Sequence, residues 1–329
     1  MYAITVEDLK KSYGKHEVLK GISFRVDAGS IYALLGPNGA GKTTIVRTLA
    51  TLIPVQQGHV SIYGYDVQHQ PKQVRSKISL TGQFAAVDEE LTGHENLVLI
   101  GRLLGFTHRQ ASERATELLL AFDLSEAATR PTSKYSGGMR RRLDIAASIV
   151  TTPELIFLDE PTTGLDPRSR NQVWEIIHAL AANGTTIVLT TQYLEEADQL
   201  ADCIGIIDDG KLIAEGAPNQ LKASVGEAAL QITLEREADI AKTMQLCKKI
   251  LSAESHSDKK HRVVTTSIKG NLEKAGEVLV ALSRDDIAVK RFSLDQPSLD
   301  EVFLALTGHI AKTEQEPVGT EGKKAYVKS

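Results

Sequence analysis

Short apolar runs and amphipathic segments alternate along the first two thirds of the chain, with glycine-rich turns between them. The runs at residues 30–35, 155–160 and 185–189 are rich in Ile, Leu and Val, which is typical of buried strands. The segments of mixed polarity between such runs have helical spacing. This alternation predicts an α/β fold, in which helices cover a mostly parallel sheet.

A second unit with a different pattern follows residue 218. Its shorter apolar segments alternate between strand and helix periodicity, which predicts a small α+β domain. The polar, charged stretch at residues 252–261 is typical of a solvated loop. The predicted strands lie near residues 230–234, 262–268 and 287–294, and the predicted helices lie near residues 239–251, 272–282 and 298–306.

These patterns divide the chain into three parts. We expect the α/β domain at residues 1–218, the α+β domain at 219–310, and a disordered tail at 311–329, where few large apolar residues occur. The α+β domain has no cluster of carboxylates, histidines or thiols at catalytic spacing. We therefore expect it to regulate the first domain or to stabilise a dimer.

The composition is that of a soluble globular protein, and it restricts the possible partners. Among 329 residues, 38 Lys and Arg against 42 Asp and Glu give a net charge of −4, which disfavours non-specific nucleic-acid binding. Cys203 and Cys247 have no metal-binding or redox motif nearby and are predicted to be reduced packing residues. No leader sequence and no apolar run near the roughly 20 residues of a membrane span are evident, so we expect a cytoplasmic chain.

The strongest chemical signal is the loop at residues 36–43. It has the pattern GxxxxGK[ST] and stands between a predicted strand and a predicted helix. Its glycines let successive backbone N–H groups face the phosphates of a nucleotide, while Lys42 reaches the β- and γ-phosphates and Thr43 binds Mg²⁺. A simple glycine-rich turn is the alternative, and the surrounding strand and helix disfavour it.

Two carboxylates end the apolar run at residues 155–160. Asp159 can hold Mg²⁺ through its water shell, and Glu160 can activate the attacking water as a general base. An acidic turn that caps a helix is the alternative explanation. The presence of a phosphate loop favours the catalytic interpretation.

A second anion-binding helix N-terminus is predicted at Ser136, Gly137 and Gly138, with an ordinary helix cap as the alternative. The arginines at positions 140–142 follow it. They could indicate nucleic-acid binding, but we favour a solvated helix face.

Gln192 lies just past the apolar run at residues 185–189, at the carboxyl end of a predicted strand. Ligands bind at that edge of open α/β sheets. A glutamine can donate an amide N–H to a phosphate oxygen, but it cannot titrate near neutral pH. Its place at that edge marks Gln192 as a candidate binding residue.

Taken in this order, and with the run at residues 161–166 after the acidic pair, these elements resemble the ATP-binding cassette of ABC transporters. The resemblance covers about two thirds of the chain. It implies a P-loop cassette with a mostly parallel sheet, an antiparallel β-subdomain and a helical subdomain at about residues 84–150.

The resemblance also implies roles for single residues. Tyr13 matches the aromatic residue that stacks on adenine, Gln83 matches the glutamine that contacts Mg²⁺ and the membrane partner, and Gln192 stands where the family has a switch histidine. The implied catalytic residues are Glu160 and Gln192, and the implied metal ligands are Thr43, Gln83 and Asp159. The implied ATP-binding residues are Tyr13, Gly36, Asn38, Gly39, Ala40, Gly41, Lys42, Thr43, Thr44, Ser136, Gly137, Gly138 and Asp166.

A head-to-tail homodimer is a further implication of the resemblance. Ser136 would close on a nucleotide held by a second chain, so that ATP drives association and hydrolysis drives separation. The chain is similar to the daunorubicin/doxorubicin-resistance subfamily at residues 80–88 and 298–308 and in the glutamine at position 192. By the resemblance, Ser136, Gly137, Gly138 and Met139 form the family's signature. Met139 stands where the family usually has glutamine and Tyr135 where it usually has leucine, and these changes leave the Ser-Gly-Gly contacts intact.

The implied function is Mg²⁺-dependent ATP hydrolysis that drives drug export through a separate membrane permease, with the chain peripheral on the inner face of the cell membrane. A cassette that acts on ribosomes or DNA is disfavoured by the single compact cassette. A nucleotide-gated module with little hydrolysis, suggested by Gln192, is disfavoured by Glu160. A lipid or polysaccharide substrate stays open, because selectivity should lie in the permease.

Overall fold

The computed structural model describes residues 1–82, 87–225, 229–253, 255–258, 261–268, 272–295 and 297–307. Its strands are β1 (Tyr2–Tyr13), β2 (His16–Asp27), β3 (Ile31–Leu35), β4 (Gln57–Ile62), β5 (Tyr65–Asp66), β6 (Ile78–Thr81), β7 (Leu155–Asp159), β8 (Thr186–Thr191), β9 (Cys203–Asp208), β10 (Lys211–Gly216), β11 (Ala229–Leu234), β12 (Ser255–Asp258), β13 (Val263–Ser267) and β14 (Val289–Asp295). Its helices are α1 (Lys42–Leu49), α2 (Pro71–Arg75), α3 (Gly93–Leu103), α4 (His108–Ala121), α5 (Gly137–Ser148), α6 (Pro167–Ala182), α7 (Leu194–Leu200), α8 (Pro218–Val225), α9 (Ile240–Leu251), α10 (Leu272–Arg284) and α11 (Leu299–Thr307). Short 3-10 helices lie at Ser125–Ala127, Thr132–Lys134 and Glu237–Asp239.

A six-stranded sheet forms the centre of the first domain, in the order β10-β9-β3-β8-β7-β6. Neighbouring strands from β9 to β6 are parallel, and β10 is antiparallel to β9. The strands β3, β7 and β8 are buried along their whole length, in keeping with their apolar sequences. Because β3, β7 and β8 run in the same direction, the segments that follow them meet at one edge of the sheet.

Two apolar cores flank the central sheet. An antiparallel sheet in the order β2-β1-β4-β5 packs with α1 on one face, and Ile4, Ile45 and Phe157 belong to their shared core. Helices α3 to α7 pack on the other face, where Leu97 and Ile187 belong to the second core. The predicted α/β class, with its antiparallel and helical additions, is confirmed.

The helices α3, α4 and α5 of the predicted helical subdomain begin at side-chain caps. Thr92 and Thr107 each form a capping box with a Glu or Gln three residues later, and Ser136 accepts a hydrogen bond from the Met139 N–H. Each such cap satisfies a backbone donor that the first turn of a helix leaves free and contributes about 1 kcal/mol.

The second domain has its own four-stranded antiparallel sheet, in the order β12-β13-β11-β14, with α9 and α10 packed on it. Alternating residues of β11, such as Leu230 and Ile232, are fully buried. This agrees with the predicted α+β architecture. The domain boundaries at residues 218 and 310 stay predictions.

The prediction of a solvated loop at residues 252–261 is wrong for its middle part. Residues Ser255–Asp258 form β12, which pairs antiparallel with β13. The strand lies at the edge of the sheet and is mostly exposed, so backbone pairing stabilises it without an apolar alternation.

Helices α8 and α11 pack against the first domain as well as against each other. Leu221, Leu299, Val302 and Phe303 belong to the same core as α3 to α7, and α11 contacts both α7 and α8. The chain therefore crosses to the small sheet and returns to the cassette before residue 307.

Both cysteines are free thiols, as predicted. Burial raises the pKa of Cys203 and of Cys247 to about 11, which suits packing residues. Within the described residues, no helix has the length and apolar character needed to cross a bilayer. The predicted disorder at residues 311–329 lies outside the described residues.

Candidate functional site

The loop at residues 36–41 connects β3 to α1 and has a backbone that only glycine accommodates at key points. Gly41 precedes α1 with φ 106°, in the left-handed region. A Cβ atom on Gly36 would lie 2.1 Å from the carbonyl oxygen of Ile207, so the adjacent strand excludes any side chain there. The loop thus places backbone N–H groups around the N-terminus of α1, the arrangement that binds phosphate.

Lys42 fills the interior of this loop. Its side chain is buried, and its Nζ donates hydrogen bonds to the carbonyl oxygens of Gly36 at 2.6 Å and Pro37 at 3.0 Å. Burial lowers the pKa of the Lys42 ammonium, while the charges of Glu160 and Asp159 oppose that shift. A phosphate in the loop would add negative charge next to the buried ammonium and would further favour its charged form.

Thr43 and Asp159 form a cluster of oxygen donors beside the loop. Thr43 Oγ1 lies 3.3 Å from each carboxylate oxygen of Asp159, and Thr190 Oγ1 also donates to that carboxylate. Hydroxyl and carboxylate oxygens are the ligands that Mg²⁺ prefers, so these two residues fit the ion. Gln83, the third predicted ligand, lies outside the described residues.

Glu160 follows β7 directly and has an unusual backbone. Its φ is 47°, and its N–H donates to Thr190, 3.1 Å from both the carbonyl oxygen and Oγ1. Its Oε2 accepts a hydrogen bond from Thr163 Oγ1 at 3.1 Å. A left-handed φ costs a residue with a Cβ roughly 1–2 kcal/mol, and such strain is typical of functional sites.

The predicted residue Gln192 lies at the same sheet edge. It follows β8, and the carbonyl of the preceding residue, Thr191, accepts the N–H of Gly36 at 3.2 Å. The side chain of Gln192 is half-buried. The strand order therefore brings the start of the phosphate loop, the acidic pair and Gln192 together.

The second predicted helix N-terminus packs against a neighbouring one. Ser136 caps α5, and Asp166 caps α6 by accepting hydrogen bonds from the N–H and Oγ of Ser169. These bonds lower the pKa of Asp166. A Cβ on Gly138 would lie 2.3 Å from Ser169 Oγ, whereas a Cβ on Gly137 would only touch Leu165. Ser136, Gly137 and Asp166 are exposed on the molecular surface.

Of the remaining predicted ATP-binding residues, Tyr13 lies on β1, and the others lie in the loop and the first turn of α1. Tyr13 is 52% exposed at the end of β1, and Lys11 Nζ lies 5.8 Å from its ring centroid. A ring with this exposure can still stack on a base. Asn38 and Gly39 are exposed, Ala40 is buried, and Thr44 lies in the first turn of α1.

The prediction that residues 140–142 form a solvated face is wrong for two of its three arginines. Arg141 and Arg142 are buried, with relative exposures of 9% and 8%. Their guanidinium groups donate to backbone carbonyls, including Gly82 and Phe122, which compensates for their loss of water. The sequence did contain a signal for the burial of Arg141, because Asp144, one helical turn later and also buried, can pair with it.

Sequence reasoning also missed a buried carboxylate on α7. Glu196 accepts hydrogen bonds from Thr162 Oγ1 at 2.7 Å and from Trp174 Nε1 at 3.4 Å. Burial raises the pKa of Glu196, and the nearby charge of Arg141 opposes that shift. The residue thus links α7 to the segment that follows Glu160.

Comparisons with known proteins find matches to both parts of the chain. A family model described as ABC transporter matches residues 19–163, and one described as the C-terminal domain of DrrA1-3-like ATP-binding proteins matches residues 216–307. The chain is 50% identical over 322 residues to the daunorubicin/doxorubicin resistance ATP-binding protein of Streptomyces peucetius, which covers 98% of this chain and 97% of that protein.

A more distant relative and a solved structure also match the chain. The linearmycin resistance ATP-binding protein of Bacillus subtilis is 35% identical, with 94% of this chain and 99% of that protein covered. A solved ATP-binding subunit of an ABC transporter superimposes with a TM-score of 0.60 at 30% identity, over 68% of this chain and 92% of that one. The chain therefore belongs to the daunorubicin/doxorubicin resistance family of ABC transporter ATP-binding subunits, which bind and hydrolyse ATP to power export through separate membrane permease subunits.

Proposed function

We propose that the sheet edge formed by residues 36–44, Asp159, Glu160 and Gln192 is the ATP site of this exporter subunit. The observation that supports this most directly is the cluster of Lys42, Thr43 and Asp159, in which Thr43 Oγ1 lies 3.3 Å from both Asp159 oxygens. A cation, a hydroxyl and a carboxylate beside a glycine-rich loop at a helix N-terminus match the needs of a nucleoside triphosphate and its metal.

Each residue of this site has a separate role in phosphoryl transfer. Lys42 exchanges the carbonyls of Gly36 and Pro37 for phosphate oxygens, and Thr43 with Asp159 would hold Mg²⁺. When bound, the ion neutralises charge on the phosphates. Glu160 accepts a proton from the attacking water, and the Gln192 amide donates a hydrogen bond to the γ-phosphate.

A second copy of the chain completes each site in this proposal. Ser136, Gly137 and Asp166 are exposed and adjacent, so they are available to a nucleotide bound by another chain. The Ser136 hydroxyl and the N-terminus of α5 suit a γ-phosphate. ATP then holds a head-to-tail homodimer together, and hydrolysis releases it.

The names of the relatives support a class of transported compound, and the family supports a location for the chain. Relatives named for resistance to daunorubicin, doxorubicin and linearmycin support an amphiphilic, drug-like substrate. We place the chain on the cytoplasmic face of the cell membrane, bound there through its permease. The permease, not this chain, selects the compound.

The test compares phosphate release by the purified chain with release by Glu160→Gln and Gln192→Ala, with and without Mg²⁺. We expect Mg²⁺-dependent release by the parent and none by Glu160→Gln, although this variant still binds ATP and forms a dimer on size exclusion. Loss of release in Gln192→Ala with retained ATP binding supports the amide as a γ-phosphate donor. Unchanged release would contradict that role, and a Glu160→Gln variant as active as the parent would contradict the assigned base.

A further inference from the structure

Arg141 lies behind the acidic pair and holds the backbone on both sides of Glu160. Its Nε donates to the Pro161 carbonyl at 2.9 Å, and one terminal nitrogen donates to the Asp159 carbonyl at 3.2 Å. These two carbonyls flank Glu160 in the sequence. The other terminal nitrogen donates to the Gly82 carbonyl at 2.8 Å and to Asp144 at 3.3 Å.

This geometry uses four of the five N–H donors of a guanidinium group. Three of the acceptors are backbone carbonyls, so the contacts fix the course of the chain and not only a side chain. One of them, Gly82, is the last described residue before the segment that contains Gln83. Arg141 therefore ties α5, whose first turn carries the signature glycines, to the catalytic end of β7 and to the end of β6.

The backbone conformation of Glu160 explains why these hydrogen bonds from Arg141 matter. Its φ of 47° is unfavourable for a residue with a Cβ, so surrounding contacts have to maintain it. Thr190 accepts the N–H of Glu160 from one side. Arg141 holds the preceding and following carbonyls from the α5 side.

We propose that Arg141 is a positioning residue for ATP hydrolysis, which fixes the direction of the Glu160 carboxylate and couples it to α5. This inference rests on the proposed role of Glu160 as the general base. It predicts that loss of the guanidinium fork slows the chemical step without weakening ATP binding, because Lys42 and the phosphate loop stay intact. Lysine cannot replace the fork, since its donors radiate from a single nitrogen.

Arg142 offers a matched control. It is the next residue on α5 and equally buried, but its guanidinium donates to the carbonyl of Phe122, at the end of α4 and away from the acidic pair. Arg142→Lys therefore reproduces the burial and charge of Arg141→Lys. It leaves the contacts to Gly82, Asp159 and Pro161 in place.

The sole tryptophan supplies a second measurement that a purely structural role would not change. Trp174 Nε1 donates to Glu196, which accepts from Thr162, the residue after Pro161. Movement of the segment after Glu160 therefore reaches the environment of the indole. We expect Mg²⁺ and ATP to change the emission of Trp174 in the parent and in Arg142→Lys, and to change it less in Arg141→Lys.

The experiment measures kcat, KM for ATP, melting temperature and Trp174 emission for the full-length parent, Arg141→Lys, Arg141→Gln and Arg142→Lys. We expect both Arg141 variants to lose roughly 10- to 100-fold in kcat with KM changed less than about threefold, and Arg142→Lys to keep its kcat. Equal losses in the Arg141 and Arg142 variants, or none in either, would overturn the inference. So would melting of both Arg141 variants below the assay temperature, because Arg141 would then serve folding alone. A parent without ATPase activity would instead count against the proposed site.

Discussion

Tyr135 fills a space that Gly93 leaves open. Its hydroxyl donates to the carbonyl of Ala127 at 2.7 Å, and its ring is buried. A Cβ on Gly93 would lie 2.3 Å from that hydroxyl. Tyrosine at this position, where the family usually has leucine, is therefore accommodated by a glycine on α3.

This pairing predicts that changes at the two positions are not additive. Gly93→Ala should destabilise the parent by about 1–3 kcal/mol because the added methyl group overpacks the site. In the Tyr135→Leu background the same change should cost at least 1 kcal/mol less, since the hydroxyl is absent. Urea unfolding of the parent, both single variants and the double variant measures the coupling. Strictly additive free energies would show that the two residues do not compete for the same space.

Among the site residues, those that the sequence predicted are the ones whose chemistry depends on local spacing. The phosphate loop is a contiguous pattern, and Asp159 and Glu160 end a single strand. Arg141, Glu196 and the fit of Tyr135 depend on contacts between segments far apart in sequence, such as Gly82 with Arg141. Charge alone predicted a solvated arginine face, but buried carbonyl acceptors reversed that outcome.

At the scale of elements, the N-termini of α5 and α6 pack together, and this packing leaves different amounts of space at two neighbouring glycines. Gly138 faces Ser169, which is bonded to the Asp166 cap. Gly137 has only Leu165 near its missing Cβ, at 3.7 Å. Packing inside the chain therefore requires glycine at position 138, whereas position 137 has room for a methyl group.

Gly137→Ala and Gly138→Ala should therefore fail in different ways. Gly138→Ala forces α5 away from α6, and we expect a melting temperature lower by a few degrees, on the order of the 2–4 °C that 1 kcal/mol causes in a domain of about 150–250 residues. Gly137→Ala should melt like the parent but lose ATP-dependent dimerisation, because its methyl group intrudes where the second chain's nucleotide is proposed to lie. Melting curves and size exclusion with Glu160→Gln as background make the comparison. Normal dimerisation by Gly137→Ala would argue against the proposed interface.

The elements themselves could be predicted where apolar periodicity is strong. The runs that became β3, β7 and β8 are buried throughout, and the caps at Thr92 and Ser136 follow from local sequence. β12 could not be predicted, because Ser255–Asp258 has polar residues on both faces and is held by pairing with β13. Strand order likewise depends on contacts that no local pattern encodes.

At the scale of the whole molecule, the second domain is inserted between two helices that belong to the core of the first. α8 and α11 contact each other, and Leu221, Val302 and Phe303 join the core that contains α7. The small sheet has a separate core, which includes the fully buried Cys247. Removal of the small sheet and removal of α11 should therefore have different consequences for the cassette.

Two truncated chains test this arrangement. One ends at residue 225, and the other keeps residues 297–307 but replaces residues 229–296 with a flexible Gly-Ser linker. The first loses the buried side chains of Leu299, Val302 and Phe303, each worth about 1.5–3 kcal/mol of burial, whereas the second retains them. We expect the linker chain to bind ATP and the shorter chain to unfold at a lower temperature.

Labelling of a single thiol measures whether the cassette is folded, because both truncated chains lack Cys247 and keep Cys203 on β9. Burial raises the pKa of Cys203 to about 11, so its thiolate fraction at pH 8 is on the order of 0.001 in the folded cassette and rises when the strand is exposed. Iodoacetamide should therefore label Cys203 slowly in the linker chain, as in the parent, and rapidly in the shorter chain. Equally slow labelling of the two chains would mean that α11 is dispensable for the cassette and that its packing there contributes little to stability.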